Sequence, residues 1–213
     1  MSTTKRTESV ILKPINVKTA TISIEGSSDL VLNKMNARNW RALIGDRNEV
    51  AEKPNPWEDI VTSIHWRDGI PVSDTYNECT EELLHKMLAE NAPCITAFGL
   101  KKSFGQAVVR NEIDTYATKF DNAVNVIATK GLIPVTFTEH FVDEQLMSPK
   151  RGKPITVRLN HFIGWKANFV ISYTDNVYSL TNIVNIINLA GFGLGIGSGR
   201  TSGYGRYSVV DVK

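Results

Sequence analysis

The segment from Gly195 to Arg206 combines glycine, arginine and hydroxyl side chains in a pattern suited to binding anions. It reads Gly-Ile-Gly-Ser-Gly-Arg-Thr-Ser-Gly-Tyr-Gly-Arg, and seven of the fifteen residues from Gly191 to Gly205 are glycine. Glycine lets a backbone approach its neighbour closely, exposed N–H groups in such a loop can hold phosphate, and arginine matches phosphate geometry with two donors. The segment therefore predicts phosphate binding, or else a tight connection whose glycines serve packing alone.

Two common nucleotide-binding motifs do not fit this segment. A P-loop needs a lysine before its Ser or Thr, and no lysine lies between residues 191 and 206. A dinucleotide-binding turn follows a strand and opens a helix, whereas this segment is expected to follow a helix and precede a strand. Tyr204 and Tyr207 instead offer aromatic faces on which unpaired bases could stack.

A second group of cations lies in one predicted helix, at Lys101, Lys102 and Arg110. The formal net charge is only +2, so any basic surface must be local. The group is either an ordinary solvated face or part of a nucleic-acid path. Together with the loop, it completes the set of candidate nucleic-acid-binding residues: Gly195, Gly197, Ser198, Gly199, Arg200, Thr201, Ser202, Gly203, Tyr204, Gly205, Arg206, Lys101, Lys102 and Arg110.

Four histidines, His65, His85, His140 and His161, are the candidate acids and bases. None lies at a metal-binding spacing from another, and His161 is the first candidate for acid or base catalysis of RNA cleavage. Asp29 follows the first predicted strand and is either a turn residue or a ligand for metal-dependent cleavage. We assign no catalytic residue, expect no metal and no cofactor, and favour a binding protein over an enzyme.

The apolar pattern predicts strands and helices that would position these residues. Strands are predicted over residues 10–25, 122–127, 133–141, 155–159, 165–173 and 207–212, with a bulge or bend near 17–20 and a hairpin turn at 130–131. Helices are predicted after Asn55, over 81–90 and 98–113, and from Ser179 to Gly191. The chain thus ends as strand, helix, glycine-rich loop and strand, which is half of a ferredoxin-like unit.

Composition indicates a globular protein of ordinary type. The chain has 213 residues, of which 42% are hydrophobic and 22% charged, and we expect a single domain over 1–213 with an insertion at about 45–93. No apolar stretch approaches a membrane span or a signal region, so a cytoplasmic location is expected. Cys79 and Cys94 are predicted to be structural thiols.

The loop and the basic helix resemble signatures of the RAMP superfamily, the RNA-binding subunits and guide-processing nucleases of CRISPR systems. Residues 195–206 are similar to the C-terminal glycine-rich loop of RAMP proteins. Residues 95–104 are similar to the loop and helix that backbone subunits place against RNA, although Thr96-Ala97-Phe98-Gly99 stands in place of a proline and serines. The run from Ala190 to Gly197 also resembles standalone members carried by phages and prophages.

The resemblance implies an α+β, ferredoxin-like fold of the modified RRM type, with an antiparallel sheet, helices on one face and the glycine-rich loop near its end. It further implies sequence-independent binding of single-stranded RNA, with self-association along the strand or a place in a CRISPR-type effector complex. Three alternatives stay open: a RAMP-type endoribonuclease, a phage-encoded interaction protein that mimics or blocks an effector subunit, and a binder of single-stranded DNA. A phage-encoded protein would act in the bacterial host cytoplasm.

Overall fold

A computed structural model describes residues 14–35, 55–70, 78–147 and 155–213. The first part of the predicted strand, residues 10–13, lies outside the described residues. Residues 45–54 and 71–77 of the predicted insertion also lie outside them. The single domain over 1–213 therefore stays a prediction.

The described residues form two antiparallel sheets. One sheet has seven strands in the order β10-β1-β9-β6-β4-β3, with β5 also paired to β9. The other has three strands in the order β2-β8-β7. The strands are β1 (Val17–Gly26), β2 (Leu30–Leu32), β3 (His65–Trp66), β4 (Pro93–Thr96), β5 (Val124–Ile127), β6 (Leu132–Thr136), β7 (Glu139–Met147), β8 (Ile155–Ile163), β9 (Lys166–Thr174) and β10 (Tyr207–Val212).

Side-chain caps define where the longer helices begin. The helices are α1 (Pro56–Thr62), α2 (Glu81–Glu90), α3 (Ala97–Arg110), α4 (Thr118–Ala123) and α5 (Leu180–Gly193). The predicted caps Asn55, Thr80 and Ser179 are confirmed, since each side-chain oxygen accepts a hydrogen bond from a first-turn N–H. Within the described ranges, no helix has both the length and the apolar character needed to cross a bilayer.

The core of the fold follows the ferredoxin-like order. Six elements, in chain order, make up this core: β1, α3, β5, β9, α5 and β10. In the sheet, the four strands among them lie in the order β10-β1-β9-β5. Each helix thus connects a central strand to an edge strand, as in the βαββαβ unit. The predicted α+β, ferredoxin-like fold with an antiparallel sheet is confirmed.

Helices α3 and α5 pack together on one face of the larger sheet. Alternate residues Ala20, Ile22 and Ile24 of β1 are buried on that face, because side chains along a strand point to opposite faces in turn. Phe104 of α3 lies 6.2 Å, centroid to centroid, from Phe169 of β9. The predicted layer of helices on one face is therefore present.

The smaller sheet is tied to α1 through a buried amide. Asn160 of β8 is fully buried, and its Nδ2 donates to the Ile60 carbonyl at 3.0 Å and to Ser63 Oγ at 2.9 Å. His140 of β7 lies 2.9 Å from the Asn160 Oδ1 through its Nε2. Helix α1 of the predicted insertion is thus packed onto the second sheet, whereas β3 belongs to the larger sheet.

Strand partners were the least accurate part of the sequence prediction. No bulge occurs near residue 17, since β1 pairs with β9 in unbroken register from Val17 to Glu25, and the irregularity lies on the β10 side between Ser23 and Ile24. The predicted hairpin is also wrong, because β5 and β6 both pair with β9. Alternation identifies a strand's faces, whereas its partner depends on contacts distant in sequence.

The two cysteines are buried and form no disulfide. Burial raises the pKa of the Cys79 thiol and of the Cys94 thiol to about 11 in each case. A thiol with so high a pKa is a poor nucleophile at neutral pH. Both cysteines are structural thiols, as the sequence predicted.

Candidate nucleic-acid interface

A cleft of about 300 Å³ lies where the glycine-rich loop, the end of β2 and the start of α3 meet. It brings together the two segments that the sequence singled out separately. Beside them it contains residues from β3 and β4. The described lining residues are Leu32, Asn33, Lys34, Ser63, His65, Cys94, Ile95, Thr96, Gly99, Lys102, Gln106, Ile196, Gly197, Ser198 and Arg200.

Two glycines let the loop pack closely against its own chain. Gly205 has φ +69°, and a Cβ there would overlap the Ile196 carbonyl; the Ile196 N–H donates to the Gly205 carbonyl at 2.9 Å. Gly197 has φ +83°, and a Cβ there would lie 2.5 Å from the Val31 carbonyl oxygen. For these two positions the packing interpretation of the glycines is correct.

The tip of the loop nevertheless keeps backbone donors free. The backbone N–H groups of Gly197, Gly199, Arg200 and Thr201 make no hydrogen bond within the described residues. Arg200–Ser202 forms a single 3-10 turn whose three residues are exposed. Free N–H groups on an exposed turn can donate to phosphate oxygens, so the tip retains the predicted anion-binding property.

The chain after β1 holds the loop in place. The Ser28 hydroxyl donates to the Gly203 carbonyl and accepts from the Arg206 N–H, both at 2.9 Å. The Asp29 carbonyl accepts from the Gly205 N–H at 2.7 Å. These bonds join the loop to the end of a central strand, which supports the interpretation of Asp29 as a turn residue.

The Asp29 side chain lies beside the first candidate for catalysis. Its Oδ2 is 3.3 Å from His161 Nδ1, and His161 is stacked on Phe141 with ring centroids 4.7 Å apart. The His161 side chain is only 3% exposed, and its Nε2 is buried without a hydrogen-bond partner among the described residues. In the described ranges, no group of three His, Cys, Asp or Glu side chains is placed to hold a metal ion.

Three cations line the cleft, and no carboxylate stands among its described lining residues. Arg200 and Lys102 are exposed, whereas Lys34 is half-buried. Burial lowers the pKa of Lys34. Burial and then the nearby Lys34 charge lower the pKa of His65. The cleft is therefore positively charged, and binding an anion there would relieve repulsion among its own groups.

Other predicted cations lie outside this cleft. The Lys101 Nζ donates to the Asp121 carbonyl and to Asn125 Oδ1, each at 2.8 Å. Arg110 is exposed at the far end of α3, about 12 Å along the helix from Lys102 at the usual rise per residue. Neither of them lines the cleft.

The Arg206 side chain forms a hydrogen bond within the loop. Its Nη2 donates to the Arg200 carbonyl at 3.3 Å, and its Nη1 is buried without a partner in the described chain. Ser198 lines the cleft, and its backbone N–H donates to the Val31 carbonyl at 2.8 Å. Among the other predicted loop residues, Gly195 is buried, while Thr201 and Ser202 are exposed.

The two tyrosines differ in accessibility. Tyr207 is only 2% exposed and packs against Trp165, and burial raises its pKa. The prediction that Tyr207 could stack a base is therefore wrong. Tyr204 is half-buried, with its ring edge-on to His161 at 5.1 Å between centroids.

Sequence reasoning missed Lys34, Asn33, His65 and Gln106 as neighbours of the loop. Lys34 and Asn33 follow β2 directly, and a lone lysine after a short apolar strand carries no motif. Gln106 lies two turns along α3 from Gly99, on the side facing the cleft. Only the pairing of β2 with β8 and of β3 with β4 brings Lys34, Asn33 and His65 to the loop.

Comparison with known proteins gives structural matches. No protein-family model and no curated protein matches the chain. A chain of the type III-B Cmr-beta complex, determined by cryo-electron microscopy bound to cognate target RNA, matches with a TM-score of 0.51 and 14% identity, over 92% of this chain. Cmr6 from Pyrococcus furiosus matches with a TM-score of 0.35 and 12% identity, over 92% of this chain and 100% of Cmr6.

The match to the Cmr-beta chain concerns the fold. The present chain spans 60% of that chain's length. The chain therefore shares the fold of that chain of the Cmr-beta complex, which agrees with the ferredoxin-like fold expected from the sequence.

Proposed function

We propose that this protein binds single-stranded RNA through the cleft, by contacts to the phosphate backbone that do not depend on base sequence. One observation carries the proposal: Arg200, Lys102 and Lys34 meet beside unbonded loop N–H groups, with no carboxylate among the described lining residues. These three cationic residues come from distant parts of the chain. Their convergence supports a site for a polyanion.

The chemistry of the donors favours backbone contacts over base recognition. Backbone N–H groups and cations bind phosphate of any nucleotide, whereas sequence readout needs side chains aligned with base edges. Gln106 and Asn33 are the amides in the cleft. They can orient a sugar or a base without specifying a sequence.

RNA is proposed over single-stranded DNA because the Cmr-beta structure is described as bound to target RNA. The same match supports a place in an effector complex, whereas self-association along the strand and an origin among phage-encoded members are proposed from the sequence resemblance alone. The buried Nε2 of His161 gives no separate support for cleavage. We therefore propose a binding protein, with the endoribonuclease as an alternative outcome of the test.

The test is a titration of the purified protein into labelled single-stranded RNA, single-stranded DNA and duplex RNA of equal length, at about 50 and 200 mM salt. We expect single-stranded RNA to bind most tightly, with affinity that falls as salt rises because phosphate contacts release counterions. Equal affinity for duplex RNA would contradict a single-strand site. No binding to any of the three would refute the nucleic-acid proposal and leave an interaction protein.

The same samples distinguish binding from cleavage. RNA recovered after prolonged incubation, with and without a chelator, is separated on a denaturing gel. We expect intact strands in both cases. Shortened products would establish the endoribonuclease instead, and their sensitivity to the chelator would separate metal-dependent from metal-independent cleavage.

RNA affinity is expected to rise as the pH falls from about 7.5 to about 5.5, across the ordinary histidine pKa of about 6.5. In the free protein, burial and Lys34 lower the pKa of His65, so the imidazole is neutral at pH 7. A bound phosphate would favour the protonated form and raise this pKa, so binding takes up a proton. Affinity measured by fluorescence anisotropy across this pH range checks the expectation.

His65→Gln is the variant that isolates this effect, since it keeps a polar side chain that does not titrate. We expect the rise in affinity at low pH to shrink in this variant, while His85→Gln, at an exposed position on α2, leaves it unchanged. An identical pH profile in wild type and His65→Gln would show that His65 takes up no proton on binding.

A further inference from the structure

One large aromatic side chain stands at the rim of the cleft. Phe98 is the second residue of α3, and it is 76% exposed. By contrast, Phe104, Phe120 and Phe162 are fully buried. An exposed phenyl ring leaves apolar surface in water, which folding alone does not favour.

The ring of Phe98 is placed next to a cation of the cleft. Lys102 lies one helical turn later, and its Nζ is 5.9 Å from the centroid of the Phe98 ring. Lys102 itself and Gly99 line the cleft. Residues four apart lie on the same side of a helix, so the ring and the cleft share one surface of α3.

This combination of groups suits a nucleotide better than an apolar protein surface. A nucleotide presents a flat base for the ring and a phosphate for Lys102, whereas a purely apolar partner would bury the Lys102 charge without a counterion. Arg200 stands in the lining of the same cleft. A strand whose phosphates lie in the cleft can therefore place a neighbouring base on the ring.

We infer that Phe98, together with Lys102, forms a stacking site for one unpaired nucleobase at the rim of the cleft. The inference rests on the proposed function and adds to it a contact that requires an unpaired base. Stacking on an aromatic ring tolerates any base, since every base has a flat face. The site therefore selects single strands over duplexes without selecting a sequence.

The test compares a single-stranded RNA with an abasic strand of the same length, for wild type and variants. Phe98→Ala is expected to bind the base-containing RNA about tenfold more weakly, and to bind the abasic strand as wild type does. Phe98→Trp should restore or exceed wild-type affinity, and its fluorescence should be quenched on binding. Phe192→Ala is the matched control, because Phe192 is 84% exposed and, among the described residues, no lysine or arginine lies over its ring as Lys102 lies over that of Phe98.

The possible results separate the two proposals. If wild type binds RNA but Phe98→Ala binds both strands as wild type does, the stacking site is refuted and the proposed function stands. An equal loss for both strands would show that Phe98 supports the structure of the cleft and does not stack a base, which also refutes it. If wild type binds neither strand, the proposed function fails and the stacking site with it.

Discussion

Replacing Lys102 and Arg200 together with glutamate is expected to weaken binding of single-stranded RNA by about 100-fold or more. Both side chains are exposed in the cleft, and each is placed to contact phosphate. Loss of a hydrogen bond to a charged group costs roughly 1.5–3 kcal/mol, and two such losses correspond to about two orders of magnitude in affinity. The introduced carboxylates would add repulsion of the strand.

The double variant is also expected to change how strongly RNA affinity depends on salt concentration. Each lost phosphate contact should reduce the slope of log affinity against log salt by about one, so titration at several salt concentrations counts the contacts directly. Because both residues are exposed, the thermal unfolding midpoint should stay close to that of wild type. A weakened affinity with an unchanged salt slope would show that neither residue contacts phosphate.

A control variant with the same change in net charge tests whether RNA affinity depends on the cleft or on the overall charge of the protein. Lys86 on α2 and Lys119 on α4 are exposed, and neither lines the cleft. The pair Lys86→Glu and Lys119→Glu should leave affinity nearly unchanged at moderate salt, where charges beyond a Debye length of about 10 Å are screened. A similar loss in both pairs would indicate non-specific attraction and contradict a localised site.

Gly205→Ala is expected to lower the free energy of unfolding by about 3 kcal/mol. Gly205 has φ +69°, and a Cβ there would overlap the Ile196 carbonyl. A side chain in the left-handed region costs roughly 1–3 kcal/mol, and forcing atoms into a packed site costs a further 1–3 kcal/mol or so. Denaturant unfolding followed by circular dichroism measures the change.

Gly203→Ala is the matched control for this substitution. Gly203 also has a positive φ, +93°, yet nothing lies within 4 Å of its Cβ position. The Gly203→Ala variant should therefore lose only about 1 kcal/mol of unfolding free energy, which is the cost of the backbone conformation alone. Equal losses at the two positions would show that close packing of the loop against Ile196 contributes nothing. We also expect Gly205→Ala to weaken RNA binding, because Arg200 would move with the displaced loop.

The glycines of the loop thus have two separate roles. At Gly205 and Gly197 they let the chain lie against the Ile196 and Val31 carbonyls, which fixes the position of the tip. At Gly199 the backbone N–H is free within the described residues, and a Cβ there would also lie 2.7 Å from the Tyr204 ring. The sequence alone could not separate these roles, because glycine has the same conformational freedom in both cases.

Local signals in the sequence were sufficient for most of the longer elements, whereas the short strands β2, β3 and β4 and the helix α4 were missed, and β6 and the start of β7 were predicted as one strand. The caps at Asn55, Thr80 and Ser179 and the strand Tyr207–Val212 could be predicted because capping and alternation depend on neighbours in sequence. The ferredoxin-like class followed from the order of the elements near the chain end together with the RAMP resemblance. Arg200 and Lys102 were recognised from composition and resemblance, and both line the cleft.

The composition of the cleft was decided by the tertiary structure. Lys34 and His65 reach the loop only through pairing of β2 with β8 and of β3 with β4, and such long-range pairing leaves no local pattern. Burial likewise removed Tyr207 from the surface, and a hydrogen bond holds Lys101 at Asn125, outside the cleft. The sequence by itself determined the longer helices and strands and the basic loop, because these depend on adjacent residues. Which side chains share one surface depends on distant contacts, so only the folded chain decided it.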